Sequence, residues 1–226
     1  MPELAIAYPP DRGLWRVARG DPFALRDPPP PLISLRDDGV GNRFDSALGN
    51  FRVWYFATDL EGCYAETLAP LRPDPSILAA LGSDEDGFMP LGEIAADWRH
   101  RRIAVRATFP ERRPFLDVES SGTRAVLRQR LAPLLASLDL DDIDVAAVRS
   151  KDRRLTRFLS QWAWEEHAAP GSRPFAGIRF CSRLGSEWEC WAVFEDVLPE
   201  ERERKSILRE DEALRRVAQL YSLKVF

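Results

Sequence analysis

Lysine is almost missing from this chain: of its 32 basic residues only Lys151, Lys205 and Lys224 are lysine, and 32 − 3 leaves 29 arginines. Arginine offers a planar bidentate fork suited to phosphate, although codon composition accounts for the larger share of such a bias. Cysteine is scarce too. Cys63, Cys181 and Cys190 are odd in number and show no Cys-x-x-Cys spacing, and His100 and His167 have no cysteine at ligand spacing. Neither a disulfide framework nor a metal site follows. No Gly-x-Gly-x-x-Gly turn follows a strand-like run, and no Gly-x-x-x-x-Gly-Lys-Ser/Thr loop occurs. With the standard glycine cradles missing, side chains must hold any phosphate. Met1-Pro2-Glu3-Leu4-Ala5 has no basic segment leading into an apolar stretch, and no apolar run is long enough to span a bilayer. A cytoplasmic location and no membrane partner are the expectation. The net charge of −4 argues against a chain that coats nucleic acid, while leaving room for a local basic pocket.

What is present fits one soluble domain over residues 1–226, with 45% hydrophobic and 30% charged residues and no internal repeat. Pro28 to Pro31 form a short polyproline-type spacer. Leu14 to Ala18 reads as a first strand, Phe51 to Ala57 as a second, and Thr58-Asp59-Leu60-Glu61 as a capping box opening a helix that runs to about Pro70. Ile103 to Phe109 alternates as a strand, and Phe115 to Val118 forms a shorter one. The leucines at 127, 131, 134, 135 and 138 follow helical spacing, interrupted at Pro133. Leu155, Phe158, Leu159, Trp162 and Ala163 repeat the helical pattern. Phe175 to Cys181 and Glu189 to Phe194 are late strands, joined by a turn around Leu184-Gly185-Ser186. The charged stretch Glu200 to Arg216 reads as a solvated surface helix that ends the fold. Strands at both ends with helices between them give an α+β class, a mixed, largely antiparallel sheet flanked by helices.

Three residues carry the chemistry. Arg43 lies in Gly41-Asn42-Arg43-Phe44-Asp45, a polar loop segment, where its guanidinium could grip a pyrophosphate through two parallel hydrogen bonds. The plain alternative is a surface arginine paired with Asp45 or Asp38. Glu66 lies in a helix of small and apolar residues, where a carboxylate must meet solvent, a cation or a ligand. It is either an exposed helix glutamate or a group that stabilises an oxocarbenium-like centre. Trp54 and Tyr55 point to opposite faces of one strand, Trp54 into the core and Tyr55 toward a cleft. Ser182 ends a strand without a Gly-x-Ser-x-Gly elbow, which disfavours a serine hydrolase. His167, Glu165 and Glu166 read as helix-end and solvated residues.

Taken in order, Gly41-Asn42-Arg43-Phe44-Asp45, Trp54-Tyr55-Phe56-Ala57-Thr58, Ala65-Glu66-Thr67-Leu68 and Gly177-Ile178-Arg179-Phe180-Cys181-Ser182-Arg183 resemble the RES-domain family. Leu14-Trp15-Arg16-Val17 resembles its first strand, and the likeness spans about residues 13 to 196. Asp45 stands where the family commonly has asparagine, and Phe180 where it often has tyrosine. The resemblance implies an ADP-ribosyltransferase-like fold and an enzyme that degrades NAD by hydrolysis or phosphorolysis, the toxin of a toxin–antitoxin pair. NAD is then the substrate, inorganic phosphate an acceptor and an antitoxin protein the partner, with no prosthetic group. ADP-ribosyl transfer to a protein and a non-catalytic nucleotide-binding module are the alternatives, and a homodimer stays open. It further implies that Arg43 holds phosphates, with Asn42 and Arg16 beside it, that Tyr55 contacts the nicotinamide side, that Glu66 serves the ribose and its developing cation, and that Ser182 completes the pocket.

Overall fold

Alternating apolar residues build the centre of this computed structural model, which is described over residues 3–20, 25, 41–76, 92–167 and 171–226. Its strands are β1 (Ile6–Ala7), β2 (Leu14–Arg19), β3 (Val53–Ala57), β4 (Glu93–Ile94), β5 (Arg102–Thr108), β6 (Phe115–Asp117), β7 (Gly177–Ser182), β8 (Gly185–Phe194), β9 (Glu200–Ser206) and β10 (Lys224–Val225). Eight of them form one sheet in the order β1-β6-β7-β8-β3-β2-β5-β9, and β4 and β10 pair separately. Only the β6–β7 neighbours of the large sheet run parallel; the remainder are antiparallel. The expected mixed, largely antiparallel α+β architecture is therefore present.

The pleat sorts β3 into two faces. Val53 and Ala57, with Tyr55 packed against them, join the main core beneath the helices. Trp54 and Phe56 join Leu14, Phe115, Trp191 and Val193 in a second cluster on the reverse face. Burial of each such side chain contributes about 1.5–3 kcal/mol, so both sides of the central strands are held firmly.

The α-helices that lie wholly among the described residues are α1 (Leu60–Leu68), α2 (Ala96–His100), α3 (Ser121–Arg130), α4 (Ala132–Ser137), α5 (Val145–Val148), α6 (Arg154–Glu165) and α7 (Glu212–Leu220). Pro133 sits in the first turn of α4, where its missing N–H has no intrahelical acceptor, and this separates α3 from α4. Helix α6 buries two kinds of surface. Leu155, Leu159 and Ala163 enter the core, while Thr156, Ser160 and Gln161 form a buried polar stripe. No described helix is long and apolar enough to cross a membrane. Pro28 to Pro31 lie outside the described residues.

Two expectations need correction. Thr58 does not cap α1: its hydroxyl donates to Glu189 Oε2 at 2.5 Å and accepts from Trp191 Nε1 at 2.9 Å. The N-cap is Asp59, without a side-chain cap bond, and Glu61 pairs with Arg216 instead. The stretch from Glu200 to Arg216 is not one solvated helix. Its first half is β9, paired with β5 along the sheet edge. There the charges neutralise each other within the strand and across it, as Glu200–Arg202, Glu201–Arg204 and Arg106–Glu203 pairs, and a charged edge resists addition of a further strand. Its second half is α7, capped by Asp211, which accepts from the Ala213 and Leu214 amides. That helix buries Leu214, Val217 and Ala218 and lies on α1, where Tyr64 donates to Asp211 Oδ2 at 3.2 Å.

Gly177 shows how tightly the middle of the sheet is set. A Cβ at this position, where φ is +155°, would lie 1.9 Å from the Ala192 carbonyl oxygen on β8 and 2.9 Å from the Phe115 ring. Gly177→Ala is expected to destabilise the fold by about 1–3 kcal/mol, read as a lower urea midpoint; an unchanged midpoint would contradict this packing.

Candidate active site

Segment 41–50 has no regular secondary structure, so its backbone groups need partners, and α6 and the residue just before it supply several. Ser160 Oγ donates to the Phe44 carbonyl at 2.8 Å, Arg157 Nε to the Asn42 carbonyl at 3.3 Å, and Arg153 to the Gly41 carbonyl. Gln161 Oε1 accepts from the Ser46 hydroxyl at 2.9 Å and the Leu48 amide at 3.3 Å. Inside the loop, Asp45 accepts from the Asn42 amide at 2.6 Å and from the Tyr55 hydroxyl at 2.8 Å, and that hydroxyl accepts from the Phe44 amide at 3.0 Å. Burial first, then the Asp45 carboxylate, raises the Tyr55 phenol well above its ordinary pKa. Tyr55 is thereby held neutral, with its hydroxyl committed to the loop. Asp45 serves as the loop's clasp and is not a loose charge beside a ligand.

This scaffold turns Arg43 inward. The residue is 9% exposed, which rules out the plain surface reading. One terminal nitrogen donates to the Val148 carbonyl at 2.6 Å and the other to the Cys181 carbonyl at 3.4 Å. The guanidinium lies 5.0 Å from the Phe180 ring and 5.4 Å from the Phe44 ring. Its Nε is buried without a partner among the described residues. Burial lowers the Arg43 pKa, and the strongest opposing influence is the Glu66 carboxylate.

A cavity of about 800 Å³ is lined by Arg16, Asn42, Arg43, Tyr55, Glu66 and Phe180, among others; that volume is typical of small-molecule sites. Four expected residues from β2, the loop and α1, together with Tyr55 of β3, thus share one hollow. Glu66 is exposed to it and forms no hydrogen bond or ion pair among the described residues. Arg16 donates to the Tyr55 carbonyl at 3.0 Å, leaving its Nε buried and without a partner among the described residues; burial lowers its pKa. Ser182 stands apart from this lining. It is fully buried, and its Oγ accepts from the Leu184 amide at 3.0 Å, bracing the Arg183-Leu184 turn, both of whose residues line the cavity.

Sequence reasoning missed other members of the lining. Lys151 and Arg153 arrive from the connection between α5 and α6, and Arg183 from the β7–β8 turn. Among the described lining residues, five cations, Arg16, Arg43, Lys151, Arg153 and Arg183, therefore stand with two carboxylates, Glu66 and Asp152. Asp152 is already paired with Arg154 at 2.6 Å, so the hollow favours anions. The available signal was the dense charge run Arg149-Ser150-Lys151-Asp152-Arg153-Arg154 leading into α6. Cys63 and Cys190 also line the cavity, but burial pushes the Cys63 thiol up to about 12 and the Cys190 thiol well above its usual value. Both are protonated at neutral pH and poor nucleophiles. Among the described residues no group of His, Cys, Asp and Glu could hold a metal. His167 is exposed beyond the end of α6, while Glu165 accepts from Gln161 and Glu166 from Arg130.

The fold and the hollow define an α+β domain with an arginine-rich, anion-seeking cleft. The RES domain family model matches residues 14–216, and the chain belongs to the RES-domain family. Among solved structures, a chain of the M. tuberculosis MbcT-MbcA toxin-antitoxin complex is similar over 97% of this chain and 91% of that chain, at 12% identity and a TM-score of 0.44. No curated protein matches.

Glu119 ties together the two strand and helix ends that hold Arg43. Its carboxylate accepts from the Cys181 amide at 2.9 Å and from Arg149 at 2.9 and 3.2 Å. Burial alone would raise its pKa, but the hydrogen bonds from Arg149 and Cys181 outweigh that and hold it below the ordinary 4.5. A carboxylate depressed on folding stabilises the native state above its unfolded pKa, and that contribution fades as pH falls through the folded value. The stability difference between wild type and Glu119→Gln, from urea titrations, is expected to shrink between about pH 7 and about pH 3. A constant difference would show that the contact does not depend on ionisation.

Proposed function

We propose that this protein cleaves the bond between nicotinamide and ribose in NAD, by hydrolysis or phosphorolysis, and acts in the cytoplasm as the toxin of a toxin–antitoxin pair. The observation that carries the reading is the meeting of Arg43 and Glu66 at one cavity, where, among the described residues, the first has a buried unpaired Nε and the second no hydrogen-bond or ion-pair partner. Membership of the RES-domain family supports it.

In this reading NAD is the substrate, and no prosthetic group takes part. Arg43, Arg16, Lys151 and Arg183 attract and hold the pyrophosphate, with the Asn42 side chain at the cavity mouth. The Tyr55 hydroxyl is already used by Asp45 and Phe44, so its ring rather than its oxygen meets the nicotinamide side. Cleavage sends the glycosidic electron pair out with nicotinamide, which leaves neutral, and places positive charge on the ribose. The Glu66 carboxylate stabilises that charge more in the transition state than before it forms. Water then adds to the ribose carbon and gives up a proton, which Glu66 can accept. Inorganic phosphate adding at the same carbon yields a phosphorylated ADP-ribose. Ser182 acts through the turn it braces, and an antitoxin would cover the cavity mouth.

Purified protein incubated with NAD is expected to release nicotinamide, and comparing buffers with and without phosphate identifies the acceptor. Glu66→Gln should lower the rate about 10²-fold or more. Arg43→Lys keeps the charge but loses the fork and should lose most activity as well. A folded wild-type protein that leaves NAD intact under both conditions would overturn the reading, and transfer of label from NAD to a protein in lysate would assign ADP-ribosyl transfer instead.

A further inference from the structure

The cavity carries more positive charge than the pyrophosphate of NAD can neutralise. Among the described lining residues the five cations exceed the two carboxylates by three, whereas each phosphate of a pyrophosphate brings a single negative charge and the pyridinium ring offsets one of them. The surplus has a location. Arg43 is buried and Arg16 half-buried, each with a terminal nitrogen on a backbone carbonyl. Lys151 and Arg183 are exposed members of the same lining, one in the connection between α5 and α6 and the other in the β7–β8 turn. Neither side chain has a hydrogen-bond or ion-pair partner among the described residues. Nearby arginines behave differently: Arg149 is held by Glu119 and Arg154 by Asp152.

The carboxylates point the same way. A dinucleotide site that selects an unmodified adenosine ribose offers a carboxylate to its 2′-hydroxyl, and that carboxylate repels a 2′-phosphate, which a cation accommodates instead. Of the two carboxylates in the described lining, Glu66 serves the nicotinamide ribose in the reading above. Asp152 is taken up by Arg154, whose Nε and terminal nitrogen reach it at 2.6 to 3.1 Å. Neither is left to select a bare 2′-hydroxyl, while two uncommitted cations stand at the same hollow.

We propose that Lys151 and Arg183 form a subsite for a third phosphate, so that the cavity takes dinucleotides phosphorylated on the adenosine ribose and prefers NADP to NAD. Arg183 supplies a fork for two phosphate oxygens and Lys151 a mobile point charge. The proposal rests on the NAD-cleaving reading for its chemistry, because nicotinamide leaves in the same step and the third phosphate stays on the product. Binding at the subsite requires no turnover.

ADP-ribose and ADP-ribose 2′-phosphate both lack the nicotinamide bond, so their dissociation constants, measured by calorimetry on the full chain, read the subsite alone. The 2′-phosphate form is expected to bind about tenfold tighter or more, and kcat/KM for NADP should exceed that for NAD by a similar factor. Both ratios should fall toward one in the double variant Lys151→Ala/Arg183→Ala, whose substitutions lie at exposed positions. Arg209→Ala removes a positive charge from an exposed position outside the lining and should leave both ratios unchanged, which separates a local subsite from general attraction. Equal affinity for the two ligands, or a preference that survives the double variant, would overturn the proposal, and nicotinamide release from NAD would still stand. Tighter binding of the 2′-phosphate form by a protein that leaves both dinucleotides intact would keep the subsite and remove the enzymatic reading.

Discussion

The site depends on one buried guanidinium shared between two carbonyl groups. Arg43 reaches the last residue of α5 through Val148 and the penultimate residue of β7 through Cys181, elements far apart in the chain. A buried cation is tolerable only where dipoles or charges compensate it. Two carbonyls and two aromatic faces do so here, with no carboxylate bonded to Arg43 among the described residues. Because no described acid is bonded to it, Arg43 keeps its positive potential for whatever enters the cavity.

That arrangement would slacken without two supports. Helix α6 satisfies the irregular loop carrying Arg43, using a polar stripe on an otherwise apolar helix. Glu119 joins the Cys181 amide to Arg149, the residue after Val148, and so fixes both carbonyls relative to each other. Asp45 and Tyr55 close the loop internally. Such cooperating networks define a single geometry because each member removes an unsatisfied group from its neighbour.

The charged C-terminal third illustrates a different principle. Acidic and basic residues interleave over Glu200 to Lys205, a pattern that suits a hydrated helix face or an edge strand equally well by composition. The unpaired edge of β5 decides between them, because its backbone groups are satisfied by pairing with β9. Thr58 shows the same competition on a smaller scale. A threonine three residues before a glutamate fits a helix cap, but the buried Trp191 indole needs an acceptor and the nearby Glu189 carboxylate a donor, and Thr58 serves both.

The chain's own pattern determined the main strands, the break at Pro133, the opposed faces of Trp54 and Tyr55, and the ordered motifs around Arg43, Glu66 and Ser182. These follow from local periodicity and residue chemistry, which act over a few positions. Only tertiary structure decided that Arg43 is buried, that Asp45 is a clasp, that Ser182 braces a turn beneath the cavity lining, and that Lys151 and Arg183 add to the cavity's positive charge. Each of those outcomes rests on a partner more than a few residues away, or on a backbone course that no side-chain spacing encodes. Hydrogen-bond satisfaction in a buried interior is a property of the assembled neighbours, and it emerges when the sheet, α6 and the irregular loop close on one another.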